Sequence, residues 1–154
     1  MLKKLAEDIY GRVFYASRLD TVNDFASPFP GHHYVCLVWN HHPIAATKAD
    51  LLGRVLIKSG CRYIVSAGRN ARVLENAFDR VYVHLQQTGE VEDSDFVMTA
   101  AFQDESVEDS IQFFAHATNY DNYDFAHFLM LFLDIPKKER FNLARIMGRS
   151  VILF

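Results

Sequence analysis

Cysteine is nearly missing: Cys36 and Cys61 are the two in 154 residues. That is too few for a secreted disulfide framework. Both lie in apolar runs, which predicts small, buried, reduced side chains. Long hydrophobic runs are missing too. No stretch of the chain approaches the roughly 18 apolar residues of a membrane span, so no membrane role is expected. Lys3, Lys4, Glu7 and Asp8 interrupt the first ten residues. No signal-peptide core or lipid-anchor pattern is therefore expected, and a cytoplasmic address follows. Glycine is sparse, with seven residues, and no glycine-rich loop is built from them. Gly-x-Gly-x-x-Gly, the Walker loop and the Gly-x-Ser-x-Gly elbow are all missing, so the familiar dinucleotide, nucleoside-triphosphate and triad-hydrolase patterns are excluded. His-Glu-x-x-His and Cys-x-x-Cys are missing as well, so neither a metal nor another cofactor is expected.

What is present is globular. Half the residues are hydrophobic, 14% are aromatic and 23% are charged. A single domain of this size buries enough surface to fold without staples. Leu2, Leu5, Ile9 and Val13 fall at helical spacing, which predicts an amphipathic N-terminal helix within residues 1–18. Ser27-Pro28-Phe29-Pro30-Gly31 reads as a turn. Strands are then predicted at 33–39, 61–65, 96–102 and 125–133, where short runs of β-formers are apolar on both faces. Helices are predicted over 45–59 (ended by Gly60), from the Asn70 cap to about Phe78, after the Ser106 cap, and from Pro136 to about Met147. Residues 80–85 read as strand or helix. The apolar tail at 149–154 must be covered by something.

Strands alternating with helices argue for an α/β fold. The expected architecture is a three-layer α/β/α sandwich, Rossmann-like or flavodoxin-like. Its sheet is expected to have four or five mainly parallel strands, in an order that local pattern does not specify. In such a sheet ligands bind beyond the carboxyl ends of the strands. His41 and His42 follow the first predicted strand, Arg69 the second, and Asp104 and Glu105 the third. Imidazoles facing carboxylates can act as acid and base, and Arg69 beside a helix N-terminus can hold an anion. Each also has a plainer role. Asn40, His41 and His42 form turns, and Asp104 and Glu105 favour the positive end of the next helix.

The charge pattern is the strongest signal. Net charge is −3, from 16 Lys and Arg against 19 Asp and Glu. Between Val81 and Pro136 there is no Lys or Arg at all, while eleven of the acids lie there. The rest of the chain therefore holds eight acids against all sixteen bases, a net of +8. Such asymmetry points to an electrostatic partner surface, or to basic segments that neutralise the acidic one as neighbours in the wound sheet. Glu92, Asp93, Asp104, Glu105, Glu108 and Asp109 are the carboxylates expected on that face, with Tyr120 and Tyr123 as aromatic anchors. A face of this kind repels nucleic acid and attracts a basic protein. A toxin, or a protein that handles nucleic acid, is the natural partner.

Three runs add a resemblance: Gly60-Cys61-Arg62-Tyr63, Val97-Met98-Thr99 with Glu105-Ser106 downstream, and Thr118-Asn119-Tyr120-Asp121 followed by Asp124-Phe125. Over about Tyr34 to Leu133 the chain resembles a small bacterial α/β family of unknown function. The resemblance implies the fold and no activity. It also implies that a cysteine and Trp-His pairs of relatives are replaced here, at Arg69-Asn70-Ala71-Arg72-Val73-Leu74 and Ala100-Ala101-Phe102-Gln103.

Two readings follow. The first is a protein-binding module, immunity- or antitoxin-like, that neutralises a basic partner. The alternative is a small enzyme or nucleotide-sensing domain using the His41, His42, Asp104 and Glu105 crevice. A homodimer, with the N-terminal helix and the Val151–Phe154 tail covering each other, is a further arrangement.

Overall fold

The computed structural model describes residues 2–120 and 123–133 and the backbone of Ile152 and Leu153. In chain order the elements are β1 (Leu2–Glu7), β2 (Val13–Arg18), a 3-10 turn (Val22–Asp24), β3 (Tyr34–Trp39), α1 (Ala46–Lys58), β4 (Cys61–Gly68), α2 (Ala71–Gln87), β5 (Met98–Gln103), α3 (Val107–His116), β6 (His127–Phe132) and β7 (Ile152–Leu153). The strands form one sheet in the order β5-β4-β3-β6-β2-β1-β7. From β5 to β2 neighbours run parallel. β1 is antiparallel to β2, and β7 to β1.

Composition explains which strands lie inside. Every residue of β3 and of β4 is buried, as both-face apolar runs require. β5 is partly exposed along its whole length because it ends the sheet. On one face, Leu52, Leu56 and Ile57 of α1 and Leu74, Phe78 and Leu85 of α2 pack over Cys36, Val38, Ile64 and Leu129. On the other, Ile111 and Phe114 of α3 pack with Phe14, Val35, Val65 and Phe128. Phe14 stacks on Phe128 with centroids 4.7 Å apart, and Phe114 meets both rings edge-on.

The N-terminal helix expected within residues 1–18 is a β-hairpin instead. Asp8 Oδ1 accepts the backbone N–H groups of Tyr10 and Arg12, at 3.0 and 2.9 Å. Gly11, at φ +80°, completes the reversal. Ile9 is therefore not a core residue but stands 82% exposed at the hairpin tip. The sheet also has more than the four or five strands expected, because this hairpin and β7 extend it. Residues 80–85 are helical: Leu74, Phe78, Val81 and Leu85 form one buried stripe along α2. The helix expected from Pro136 to Met147 lies outside the described residues. Part of the tail, Ile152 and Leu153, pairs with β1.

Capping follows the sequence closely at α3, where Ser106 Oγ accepts the N–H of Asp109 at 3.0 Å. Ser106→Ala is expected to cost about 1 kcal/mol of stability in a denaturant titration. At α2 the cap differs. Asn70 holds the N-cap position without a side-chain cap bond, and its Nδ2 donates to the carbonyl of His42 instead. This bond ties the turn after β3 to the turn after β4.

Candidate functional site

Parallel pairing carries the ends of β3, β4 and β5 to one edge of the sheet. His41, His42, Arg69, Asp104 and Glu105 therefore share that edge. The turn after β3 and the turn after β5 stand two strand spacings apart, about 10 Å of backbone, with the end of β4 between them. The Trp39 indole donates to His41 Nε2 at 2.7 Å. That nitrogen is thus an acceptor, and a neutral ring carries its proton on Nδ1. The His42 carbonyl accepts from Asn40 and Asn70. These residues build the strand-end turns.

Arg69 is exposed at the entrance to α2, whose first turn holds no acid. Arg72 follows in that turn, and its N–H donates to Gln103 Oε1 at 3.3 Å. Arg69 and Arg72 thus lie at the start of α2, near the corner where β5 ends. Asp104 begins the next turn with φ +57°, a left-handed conformation that aspartate tolerates better than most residues. Asp104, Glu105, Glu108 and Asp109 are all exposed.

Glu92 and Asp93 lie at the other end of β5, also exposed. Nine of the eleven acids between Val81 and Pro136 are described. Two of them form ion pairs: Glu90 with Arg54 and Lys58, at 2.9 and 3.1 Å, and Asp95 with Arg62 at 2.6 Å. Hydrogen bonds from Thr88 and Lys58 hold the Glu90 carboxyl down to about 2. The other seven, Glu92, Asp93, Asp104, Glu105, Glu108, Asp109 and Asp124, are exposed and form no ion pair among the described residues. Six of these seven bracket β5 at its two ends. Beside them Phe96 and Met98 stand 50% and 41% exposed.

Tyr120 and Tyr123 serve the interior as well as the surface. Both are half-buried. The Tyr120 hydroxyl donates to the carbonyl of Phe96 at 2.6 Å, and the Tyr123 hydroxyl donates to Asp95 Oδ1 at 2.5 Å. Burial and the Asp95 carboxylate push the Tyr123 phenol up to about 12. Both rings join a cluster with Phe125.

The sequence reading missed the centre of this cluster. Arg62 lies buried in β4 and donates to the carbonyls of Ile57 and Cys61 and to Asp95 Oδ2, at 2.8, 2.7 and 2.6 Å. Burial alone would raise the Asp95 carboxyl, but hydrogen bonds from Arg62 and Tyr123 hold it below the usual carboxylate range. His33 Nε2 lies 3.9 Å from Asp95 Oδ1. The signal was available: an arginine inside a wholly apolar strand needs a partner. Cys36 and Cys61 are buried, and burial pushes both thiols up, Cys61 to about 12. Neither is poised as a nucleophile. Among the described residues no group of three His, Cys, Asp or Glu could hold a metal ion, and no helix is long and apolar enough to cross a membrane.

A family model described as a domain of unknown function (DUF7684) matches residues 13–147. No curated protein matches the chain.

Proposed function

The chain belongs to the DUF7684 family, whose description assigns no activity, and from its own surface we propose a protein-binding module that docks a basic partner on its acidic flank. One observation carries this reading: seven exposed carboxylates without an ion pair among the described residues, six of them at the two ends of edge strand β5. Like charges repel one another, and a cationic surface relieves that repulsion while speeding encounter. The same field disfavours nucleic acid, so the partner is a basic protein rather than its phosphate ligand. An immunity or antitoxin role against a basic toxin fits this chemistry, as does control of a protein that handles nucleic acid. A cytoplasmic address belongs to the same reading, since reducing surroundings keep buried thiols such as Cys36 and Cys61 free.

Affinity capture on the full chain from its own host, at low and at high salt, tests this. The expected result is a basic protein released by salt. Glu105→Lys combined with Glu108→Lys is expected to slow its association about tenfold and to flatten the salt dependence. A neutral or acidic partner, or one that binds the reversed variant equally fast, would overturn the reading.

The alternative draws on the sheet order. β5-β4-β3-β6 follows the doubly wound succession, and α1 and α2 cover one face while α3 covers the other. On that Rossmann-like reading, the winding reverses between β3 and β6, where a ligand crevice is expected. His41 and His42 follow β3 directly. Against an acid–base role stands the indole on His41 Nε2, while two strand spacings of backbone separate the turn after β3 from the turn after β5.

A further inference from the structure

β5 ends the sheet among the described residues. It pairs with β4 along Met98–Gln103, and among the described residues no backbone group hydrogen-bonds to its outer side. Exposed edge strands are usually protected by charge, proline, a bulge or a covering element. Met98-Thr99-Ala100-Ala101-Phe102-Gln103 has no charge, proline or glycine. Both of its faces are nonetheless anchored. Thr99 Oγ1 donates to Asp79 Oδ1 on α2 at 2.7 Å, and the Phe102 ring packs on Phe113 of α3 at 5.0 Å. The strand is thus held in place, and no described residue pairs with its outer backbone.

The surrounding charge decides what can pair there. Glu92 and Asp93 stand before the strand, and Asp104 and Glu105 after it. A second copy paired antiparallel would set each acidic pair against the other, and a parallel copy would set each against itself. Both registers bring carboxylates together at both ends, which costs affinity. An extended segment with cationic residues at its two ends and an uncharged centre meets no such repulsion.

Resting on the acidic-flank reading, we propose that β5 binds its basic partner by strand addition, the partner's cation-flanked segment extending the sheet beyond Met98–Gln103. The main chain supplies the hydrogen bonds, half-exposed Phe96 and Met98 offer apolar contact, and the acids at each end set the partner's charge pattern.

The test uses the full chain, labelled with nitrogen-15, and a synthetic peptide with two lysines at each end of an alternating valine–threonine centre. A second peptide carries N-methyl groups on alternate central residues, which removes its strand-pairing donors and keeps its charge. The expected result is slowed amide exchange within 98–103 and binding at least about tenfold weaker for the methylated peptide. Equal binding of the two peptides overturns strand addition and leaves the acidic flank standing. Shifts confined to 92–93 and 104–109 do the same. A concentration-dependent dimer with protected β5 amides assigns the edge to a second copy and also overturns the proposal. Binding by neither peptide refutes strand addition, while the salt-dependent capture decides the acidic flank independently.

Discussion

Asp95→Ala is expected to lower the free energy of unfolding by about 3–5 kcal/mol, the range for removing one partner of a buried ion pair. The Arg62 side chain is 8% exposed and its Asp95 partner 23%. Alanine leaves a cation among the carbonyls of Ile57 and Cys61 without its counter-charge, and it strips the Tyr123 hydroxyl of its acceptor. Asp95→Asn keeps an acceptor oxygen for one of these donors but not the charge, so its cost should be smaller. Denaturant titration of both variants separates the two contributions. Equal stability of Asp95→Ala and the parent protein would show that the pair is not a stabilising centre.

The same group shapes the acid limb of stability. The Asp95 carboxyl is lowered from 3.8 in the folded protein. Its stabilisation is therefore full above about 3.8 and is lost as pH falls through the lower folded value. Asp95→Asn should flatten that limb. His33 and His127 act earlier. Burial lowers both imidazoles from 6.5, aided by Arg62 at His33 and by His32 at His127. Each takes up a proton less readily folded than unfolded, so unfolding binds protons. Stability should begin to fall as pH drops below about 6.5 and keep falling through their folded values. Unfolding midpoints measured from pH 8 to about pH 3 should show both steps.

Gly68→Ala is expected to destabilise by about 4 kcal/mol, combining backbone strain with overpacking. Gly68 has φ +99°, and a Cβ there would lie 2.1 Å from the Asn40 carbonyl oxygen. The obstacle is backbone, so no side-chain rotation relieves it. The turn after β4 would have to leave the turn after β3, and the Asn70 bond to the His42 carbonyl would be strained with it. Gly89→Ala is the control. It shares a positive φ of +74° but has open space around it. Its cost should stay near the strain alone, about 1–2 kcal/mol. Equal losses for the two would locate the penalty in backbone conformation and exclude the Asn40 contact.

Much of this molecule could be read locally. The apolar runs at 33–39 and 61–65, the Gly60 stop and the Ser106 cap depend on spacings of a few residues, and the structure places strands (Tyr34–Trp39 and Cys61–Gly68), a helix end and a cap there. The carboxylates crowded between Val81 and Pro136 are likewise a fact of composition. Local spacing misled at the N-terminus. Leu2, Leu5, Ile9 and Val13 fit a helical period, yet Asp8 turns the chain through its own backbone bonds. Phe14 then finds Phe128, more than a hundred positions away. Periodicity reports which face of an element is apolar, while pairing energy between distant segments chooses what covers it.

Alternation of apolar strands and amphipathic helices was enough to specify an α/β chain with a mainly parallel sheet, because burial on both strand faces demands helical cover. Strand order, the Arg62–Asp95–Tyr123 network and the place of each acid relative to β5 came from folding. They depend on which long-range contacts close together in space, and no window of neighbouring residues contains that information.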